Sequence, residues 1–529
     1  MEPAQLYAAC LGGTLLLLFI FRFAPTRYRP MPILNCRWQY WLSRLFISTY
    51  RKMCFLFLKH MLYPRLFGHL SRYRVIIQLM YWGGTITCNF IGTQTVAAIA
   101  ARAGNIALLN FVFLLFAGRI NIAADLLGLS YRSYLHVHKT FAIMTFVQAT
   151  LHSAISLREH GWLPYEQLQF CGMLGICALA ACFIILAIRK WIYEIFIKVH
   201  YWLAILALVT IWRHIYIQRI FAQLYVLIGS IILGLTTLFH WALLVLRNVT
   251  REKCGSRASV IRGTDPQTVQ VDIPVNRPFT VRAGMTVYIW MPGVSIFSAL
   301  YCHPFTIVWW ENNDVGKATQ ISLLVNKRNG FTRNLINHHA KEFTTWIDGP
   351  YGNSFDLGPY QRVLMLASGI GITAQIPYIR ELLEIDANPT RSIFVVWEVE
   401  DEANLRSVHD WMNELLTRDK HSYILRFGLY IPRSSESHGA PEPWNSLHNR
   451  IWKMQGPIDT WKAVTQEFWK GPGNALVTVS AHEPIRTEIR KVIQANMEDI
   501  VDLVELPFQP DFTRPVFTPG KKHSMVEKV

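Results

Sequence analysis

Two apolar segments decide how this chain reads: YLHVHKTFAIMTFVQATLHSAI at residues 134–155 and IFIKVHYWLAILALVTIWRHIYI at residues 195–217. Each approaches the roughly 20 residues a helix needs to cross about 30 Å of hydrocarbon. His138 and His152 stand 14 residues apart in the first segment, and His200 and His214 stand 14 apart in the second. That spacing is close to four turns at ~3.6 residues per turn, so each pair shares one helix face with ~21 Å between its members. One apolar run, Leu168–Ile188, separates the two segments, so both cross in the same direction. His138 then lies level with His200, and His152 with His214. Ionisable side chains inside a bilayer are costly and mark function. Two imidazoles at each of two levels suit two haems, one stacked above the other, each iron held on both axial sides. Such an iron has no open position, which points to electron transfer and away from oxygen binding. Zinc or copper is the competing reading, with two ligands per level and no Cys or carboxylate beside them. His136 is the alternative to His138, but its spacing of 16 to His152 breaks the match with the second segment.

Apolar runs of similar length recur at Leu6–Phe23, Val75–Ile91, Ile106–Leu127 and Leu224–Leu246. With Leu168–Ile188 they make an all-α bundle of about seven spans, one N-terminal and six in a block. Between Arg22 and Arg74 there are eleven Lys/Arg and no acid. The connections holding Arg132 and Lys139, Arg189, Lys190 and Lys198, and Arg247, Arg251 and Lys253 are basic as well. Positive loops face the cytosol. The expected topology therefore has the N-terminus outside, short outer loops at residues 92–104 and 156–167, and the C-terminal half in the cytosol. The first span has only Glu2 as a flanking charge, which fits a retained anchor better than a cleaved signal peptide. Cys36–Leu70, apolar but studded with Arg and Lys, reads as an interfacial amphipathic helix. The one sequon, Asn248-Val249-Thr250, falls on the cytosolic side and is expected to stay unglycosylated.

Charge separates the two halves. Residues 1–254 carry 24 basic against 6 acidic side chains, and residues 255–529 carry 28 against 29. A basic excess confined to the apolar half orients a membrane protein and is no footprint for nucleic acid. With 52% hydrophobic residues, 16% charged residues and a mean hydropathy of +0.22, disorder and a fibrous chain are excluded. Nine cysteines without a CxxC pair, none beyond Cys302, fit neither a disulfide framework nor a zinc site.

Beyond Cys254 the pattern changes to short strands at Val269–Ile273, Thr286–Met291, Thr306–Trp310 and Gln320–Val325, read as a small antiparallel β-barrel. From Arg362 strands and helices alternate: Val363–Ala367, Ala374–Ile385, Ser392–Val396, Glu402–Thr417, Tyr423–Leu429, Ala475–Ser480 and Pro484–Ala495. Such alternation implies a parallel sheet in an α/β domain. Ser434–Pro443 reads as a polar loop and Pro507–Val529 as a flexible tail. The expected divisions are 1–74 (anchor and basic segment), 75–250 (six-helix histidine-bearing bundle), 255–358 (antiparallel barrel), 359–506 (α/β domain) and 507–529 (tail). Two motifs lie in the barrel: Tyr301-Cys302-His303-Pro304-Phe305-Thr306 and Gly330-Phe331-Thr332-Arg333-Asn334-Leu335. The first offers a ring to stack on a flat heterocycle and a hydroxyl for its edge. Gly330 and Thr332 open a helix whose free amides suit a pyrophosphate. In the α/β part, Ser368-Gly369-Ile370-Gly371-Ile372-Thr373 sits between a strand and a helix, where a glycine turn meets a dinucleotide phosphate.

The four histidines, His303-Pro304-Phe305-Thr306, Asp348-Gly349-Pro350-Tyr351-Gly352 and the Gly369-Ile370-Gly371 turn, in this order, resemble the fungal ferric-chelate reductase family, within the superfamily shared with NADPH oxidases. The resemblance covers about residues 75–506. It implies a six-helix haem domain, an FAD-binding barrel and an NADPH-binding domain of ferredoxin-reductase type. It also implies that His138, His152, His200 and His214 ligate two b-type haems and that His303, Pro304, Phe305 and Thr306 touch the flavin. Gly330, Thr332 and Arg333 would then lie at its phosphates, and Gly369, Gly371, Thr373 and Ser480 at the nicotinamide nucleotide. The implied reaction reduces an Fe(III) chelate or Cu(II) across what is expected to be the plasma membrane; superoxide formation and a pathway-specific reductase are the enzyme alternatives. A catalytically degenerate membrane scaffold is the reading from another class. Three departures bear on this. Ser480 is followed by Ala481-His482 where the family has Gly-Pro. Trp397-Glu398-Val399-Glu400-Asp401-Glu402 is acidic where the family carries a base, a poor host for a 2′-phosphate that leaves NADH open beside NADPH. The chain also runs 24 residues past Glu505.

Overall fold

The computed structural model describes residues 3–23, 65–67, 70–116, 123–124, 127, 129, 131–161, 166–216, 220–263, 265–352, 354–385, 389–399, 405–419, 423–432, 442–443, 449–468, 474–495 and 501–508. Helices α1 (Pro3–Phe23) and α2 (Arg72–Phe90) cover the first two apolar runs. Then come α3 (Val96–Leu115), α4 (Tyr131–His160), α5 (Gln167–Ile184, prolonged by a 3-10 turn Ile185–Lys190), α6 (Tyr193–Ile215) and α7 (Ile220–Asn248). Among the described residues, five helices are long and apolar enough to cross a membrane: Val96–Leu115, Ser133–His160, Gln167–Arg189, Ile195–Ile215 and Ala222–Asn248. The interfacial helix expected at Cys36–Leu70 lies outside the described residues through residue 64. Near its end a short antiparallel pair forms, β1 (Arg65–Phe67) with β2 (Leu70–Ser71).

The third span is displaced from the reading. The apolar run is Ile106–Leu127, whereas the helix begins at Val96 and is described to Leu115. Thr95 caps it, its hydroxyl accepting from Ala98 N at 3.2 Å. Alanines then carry the helix past Arg102, whose guanidinium donates to the Cys88 and Ile91 carbonyls at the end of α2. A charge spent on a neighbouring helix terminus belongs inside a helix pair, so the expected outer loop 92–104 contracts. Buried polar side chains tie the first helices together. Tyr7 and Tyr81 both donate to Asn110 Oδ1, at 3.0 and 2.6 Å, and Asn89 donates to Gln148 Oε1 at 3.0 Å.

The antiparallel part is one seven-stranded sheet in the order β6-β5-β9-β3-β4-β8-β7. Its strands are β3 (Ser256–Arg262), β4 (Thr268–Phe279), β5 (Thr286–Trp290), β6 (His303–Thr306), β7 (Trp309–Asn312), β8 (Ala318–Asn326) and β9 (Glu342–Tyr351). The strand expected at Thr306–Trp310 is two strands on opposite edges. β6 pairs with β5, and β7 pairs with β8. Between them Ile307 N donates to the Met285 carbonyl and Val308 N to the Ser322 carbonyl, both at 3.0 Å. The chain steps from one edge to the other there, curling the sheet around Val271, Ile273, Val287, Ile289, Ile321 and Leu323. Helix α8 (Phe331–Asn337) lies at this core.

The α/β part carries strands in the order β13-β14-β12-β11-β10-β15-β16, parallel except for β13 (Glu442–Pro443). These are β10 (Arg362–Ser368), β11 (Ser392–Glu398), β12 (Leu425–Ile431), β14 (Ile451–Gln455), β15 (Ala475–Ser480) and β16 (Val501–Glu505). Helices α9 (Ile372–Glu384), α10 (His409–Arg418), α11 (Thr460–Phe468) and α12 (Glu483–Ala495) connect them. Helix α10 starts at His409, later than the Glu402 expected, and 401–404 lie outside the described residues. β12 starts later than Tyr423 because that residue takes φ 49°, which an extended strand does not allow. Apart from β13, the expected loop Ser434–Pro443 lies outside the described residues, as does the expected tail from residue 509.

Two joints hold the layers in place. At the end of α7, Asn248 Nδ2 donates to the Ile347 carbonyl at 2.8 Å and Oδ1 accepts from Ile347 N at 2.7 Å. The sequon's amide is thus buried and fully used. Two turns earlier His240 Nε2 lies 3.2 Å from Asp348 Oδ2. Between the two sheets, Arg380 is buried with its guanidinium carbon 4.6 and 4.3 Å from the ring centres of Trp309 and Trp310. It bonds the Trp310 carbonyl and Glu384.

Candidate functional site

The bundle brings the four histidines together in the pairs their spacing implies. The rings of His138 and His200 have centroids 6.4 Å apart at 71°, and those of His152 and His214 are 6.1 Å apart at 73°. His136 is exposed on α4, and His138 makes the pair. A metal bound to one nitrogen of each ring needs two bonds of about 2.0–2.1 Å plus roughly 1.1 Å from each nitrogen to its ring centre, or about 6.3 Å between centroids. Both gaps have that width. Among the described residues no group of three or more His, Cys, Asp or Glu could hold a metal ion.

The pair at His152 and His214 is set further by backbone that the sequence did not single out. His152 Nδ1 lies 2.9 Å from the Ala100 carbonyl on α3, and His214 Nδ1 lies 2.8 Å from the Leu168 carbonyl on α5. A carbonyl only accepts, so each Nδ1 carries the proton and each Nε2 keeps a free lone pair for a metal. One turn along those helices stand Gly104 and Gly172. A Cβ there would come 3.1 Å from His152 Nδ1 and 2.8 Å from His214 Nδ1. Both glycines make room for the rings. At the other level, His138 Nδ1 is buried without a hydrogen-bond partner among the described residues.

In the antiparallel sheet the two motifs meet on one ring, Phe331. His303 stacks on it with centroids 4.0 Å apart at 13°, and Phe305 approaches to 6.4 Å. Burial pushes the His303 imidazole down to about 4, so the ring is neutral at physiological pH, and its Nε2 is buried without a hydrogen-bond partner among the described residues. Pro304 and Thr306 are half-buried neighbours on β6. Gly330 takes φ +74° at the head of α8, a conformation that favours glycine. Thr332 Oγ1 accepts from Arg328 N at 2.8 Å, and Arg333 is exposed beside it. Tyr288 and Tyr351, which the motif reading gave no role, pair edge to face at 6.0 Å, with Tyr351 donating to Asp348. Aromatic rings, a left-handed glycine, a helix start and an exposed arginine form a set that fits a flavin nucleotide.

At the parallel sheet, Gly369 takes φ +50° and its carbonyl accepts from Trp397 Nε1 at 2.8 Å. A Cβ on Gly371 would fall 1.8 Å from the Ser480 carbonyl, so only glycine lets the turn pack on β15. Ser480 is fully buried, and its hydroxyl accepts from Gln375 Nε2 at 2.8 Å. Thr478 donates to Gln375 Oε1 at 2.8 Å, and the buried Thr373 donates to the Ile370 carbonyl at 2.8 Å. Gly371, Thr373 and Ser480 thus hold the turn from within, with Gln375 as the partner that motif reading missed. Ser368 Oγ accepts from His482 N at 2.8 Å, and the His482 ring meets Phe508 at 6.5 Å.

Facing imidazole pairs among membrane-length helices, an aromatic-floored antiparallel sheet and a parallel sheet with a glycine turn define a multi-pass membrane protein with FAD-binding and NAD-binding domains. The chain belongs to the ferric reductase family. Residues 103–211 match the ferric reductase like transmembrane component, 256–355 an FAD-binding domain and 360–499 the ferric reductase NAD binding domain. Similar proteins include ferric reductase transmembrane component 6 of Saccharomyces cerevisiae, 24% identical over 350 residues, which are 62% of this chain and 47% of that one. Ferric/cupric reductase transmembrane component 2 of the same yeast is 25% identical over 54% of this chain and 40% of its own length. The probable cell surface ferric reductase kap2 of Aspergillus oryzae is 25% identical over 60% and 45%. The chain spans about half the length of these curated relatives, or less.

Proposed function

We propose that this protein is a transmembrane metalloreductase that takes electrons from cytosolic NADPH through FAD and two b-type haems to an Fe(III) chelate or Cu(II) on the other side of the plasma membrane. The observation that carries the reading is the pair of imidazole gaps, 6.4 and 6.1 Å, stacked along two helices. When bound, FAD converts a two-electron hydride into single electrons and bis-imidazole haems pass them on one at a time. His138 with His200, and His152 with His214, are the imidazole pairs that would hold the two irons. The Ala100 and Leu168 carbonyls keep a proton on Nδ1 of the second pair and so aim each Nε2 inward. Phe305, His303 and Phe331 would hold the flavin ring, Thr306 would offer it a hydroxyl and Arg333 would offer a charge to its phosphates. The Gly369–Gly371 turn, braced by Gln375, Thr373 and Ser480, presents amides to the nucleotide. Arg380 fixes that turn relative to the flavin sheet. Seven spans, an outer N-terminus, the domain divisions given above and a cytosolic nucleotide half complete the proposal.

Pyridine haemochrome analysis of the purified chain tests the count; two haems per chain are expected, and one or none overturns the two-level arrangement. Sealed, oriented vesicles test the direction. NADPH acts from the flavin side only, and an impermeant ferric chelate is reduced from the opposite side only. Iron reduction that stops on adding superoxide dismutase makes oxygen the direct acceptor instead. Replacing NADPH with NADH in the same vesicles measures what the acids after β11 do to nucleotide choice.

A further inference from the structure

The turn between β5 and β6 is tied by its own hydrogen bonds and leaves apolar side chains exposed. Ser295 and Ser298 cap each other, with Ser298 N donating to Ser295 Oγ at 3.2 Å and Ser295 N to Ser298 Oγ at 2.8 Å. Ser298 Oγ also reaches the Ser295 carbonyl at 2.6 Å, and Trp290 Nε1 donates to the Ala299 carbonyl at 2.8 Å. Met291 and Val294 root the turn in the sheet's core. On this fixed frame Ile296 is 90% exposed and Leu300 58% exposed. Exposed apolar side chains on a loop held by its own hydrogen bonds mark a contact surface, because docking them costs no ordering of the backbone.

The position of the turn says what covers it. Tyr301, at its end, lies under the Lys198 ammonium, 5.6 Å from Nζ to the ring centre. Lys198 sits in the first two turns of α6, the helix that carries His200. Around it Ile192, Ile195, Ile197, Val199 and Trp202 are exposed, an apolar belt that a membrane span turns to lipid. A lysine at the end of such a belt reaches to the headgroups, and tyrosine beside it is an interfacial residue. We propose that residues 295–301 insert Ile296 and Leu300 into the headgroup–acyl boundary of the leaflet on the flavin side. The flavin sheet is then held to the bilayer at a second point besides its joint with α7. This rests on the bundle spanning a membrane and not on the haem assignment.

The test uses the full chain in lipid nanodiscs with the photo-crosslinker p-benzoyl-phenylalanine at one position at a time. Ile296 and Leu300 are the test sites. Leu235, exposed on α7, sets the signal of a lipid-facing residue, and Val315, 77% exposed on the β7–β8 hairpin, sets that of an equally exposed apolar residue away from the membrane helices. Retained FAD shows that each variant is folded. Lipid adducts on the peptides holding positions 296 and 300, several-fold above Val315 and near Leu235, are expected. Yields at 296 and 300 equal to Val315 overturn the proposal. Crosslinked pairs of chains through position 296 also overturn it, and assign the turn to contact between copies.

Discussion

Gly172→Ala sets two effects against each other. In a helix interior, alanine for glycine stabilises by roughly 0.5–1 kcal/mol. At Gly172 the added Cβ would stand 2.8 Å from His214 Nδ1 and 2.9 Å from its Cε1. Reaching an ordinary contact of about 3.5 Å moves the ring by roughly 0.7 Å. That shift stretches the 2.8 Å bond to the Leu168 carbonyl to the edge of hydrogen bonding. The lost bond costs about 0.5–1.5 kcal/mol. An imidazole without its orienting partner binds its metal about 10- to 100-fold more weakly, or ~1.4–2.7 kcal/mol. The steric loss therefore exceeds the propensity gain. Gly104→Ala, with 3.1 Å to His152 Nδ1, needs a smaller shift and a smaller loss is expected. Gly234→Ala on α7 has nothing within 4 Å of the new Cβ and should only stabilise. Haem stoichiometry and the reduced absorption spectrum read the result, and melting temperature gives the sign of the propensity term. Gly172→Ala retaining two haems, an unaltered spectrum and a melting temperature as high as that of Gly234→Ala would refute the cradle argument.

Other outcomes follow from particular contacts. His303 takes its proton near pH 4 in the folded chain and near 6.5 when unfolded, so its burial removes stability as pH falls through that window. His303→Phe should flatten the drop in melting temperature between those pH values, and an unchanged drop would count against a neutral, buried ring. Arg333→Ala should weaken FAD binding about ten- to hundred-fold, the ~1.5–3 kcal/mol of a charge-assisted contact, with activity restored by excess FAD. Unchanged FAD affinity would move the phosphate site to Lys327 or Arg328. Arg380→Met removes a buried guanidinium from two indole rings and a carboxylate, and a loss of about 2–4 kcal/mol is expected. FAD release on heating should come several degrees lower; release at the wild-type temperature would mean the two sheets are held elsewhere.

Much of this fold is written in local pattern. The apolar runs and the 14-residue histidine spacing are properties of single helices. A period of ~3.6 residues is built into each chain segment whatever it packs against. The alternation of strands and helices after Arg362 likewise predicts a parallel sheet without long-range information, and β10, β11 and β15 formed close to where the pattern put them. Where packing overruled pattern, the cause is a distant partner. Arg102 entered α3 because the end of α2 offers it carbonyls. Residues 303–312 became two strands because their partners β5 and β8 lie near opposite ends of the curled sheet, each one strand in from its edge.

The candidate site divides along the same line. Which side chains share a helix face or a strand was legible, because imidazole, aromatic ring and glycine are identities carried by the residue itself. That His138 faces His200 at the width of a metal between two rings was not, since the gap depends on how α4 and α6 pack. Nor could the Ala100 and Leu168 carbonyls be read as orienting groups. Every residue has a carbonyl, and only the tertiary structure decides which one stands 2.8 Å from a histidine 46 residues away. Ser480 is the inverse case: a family resemblance implied its place at the nucleotide, and only the structure shows its hydroxyl accepting from Gln375, where the close approach at Gly371 brings β15 against the turn.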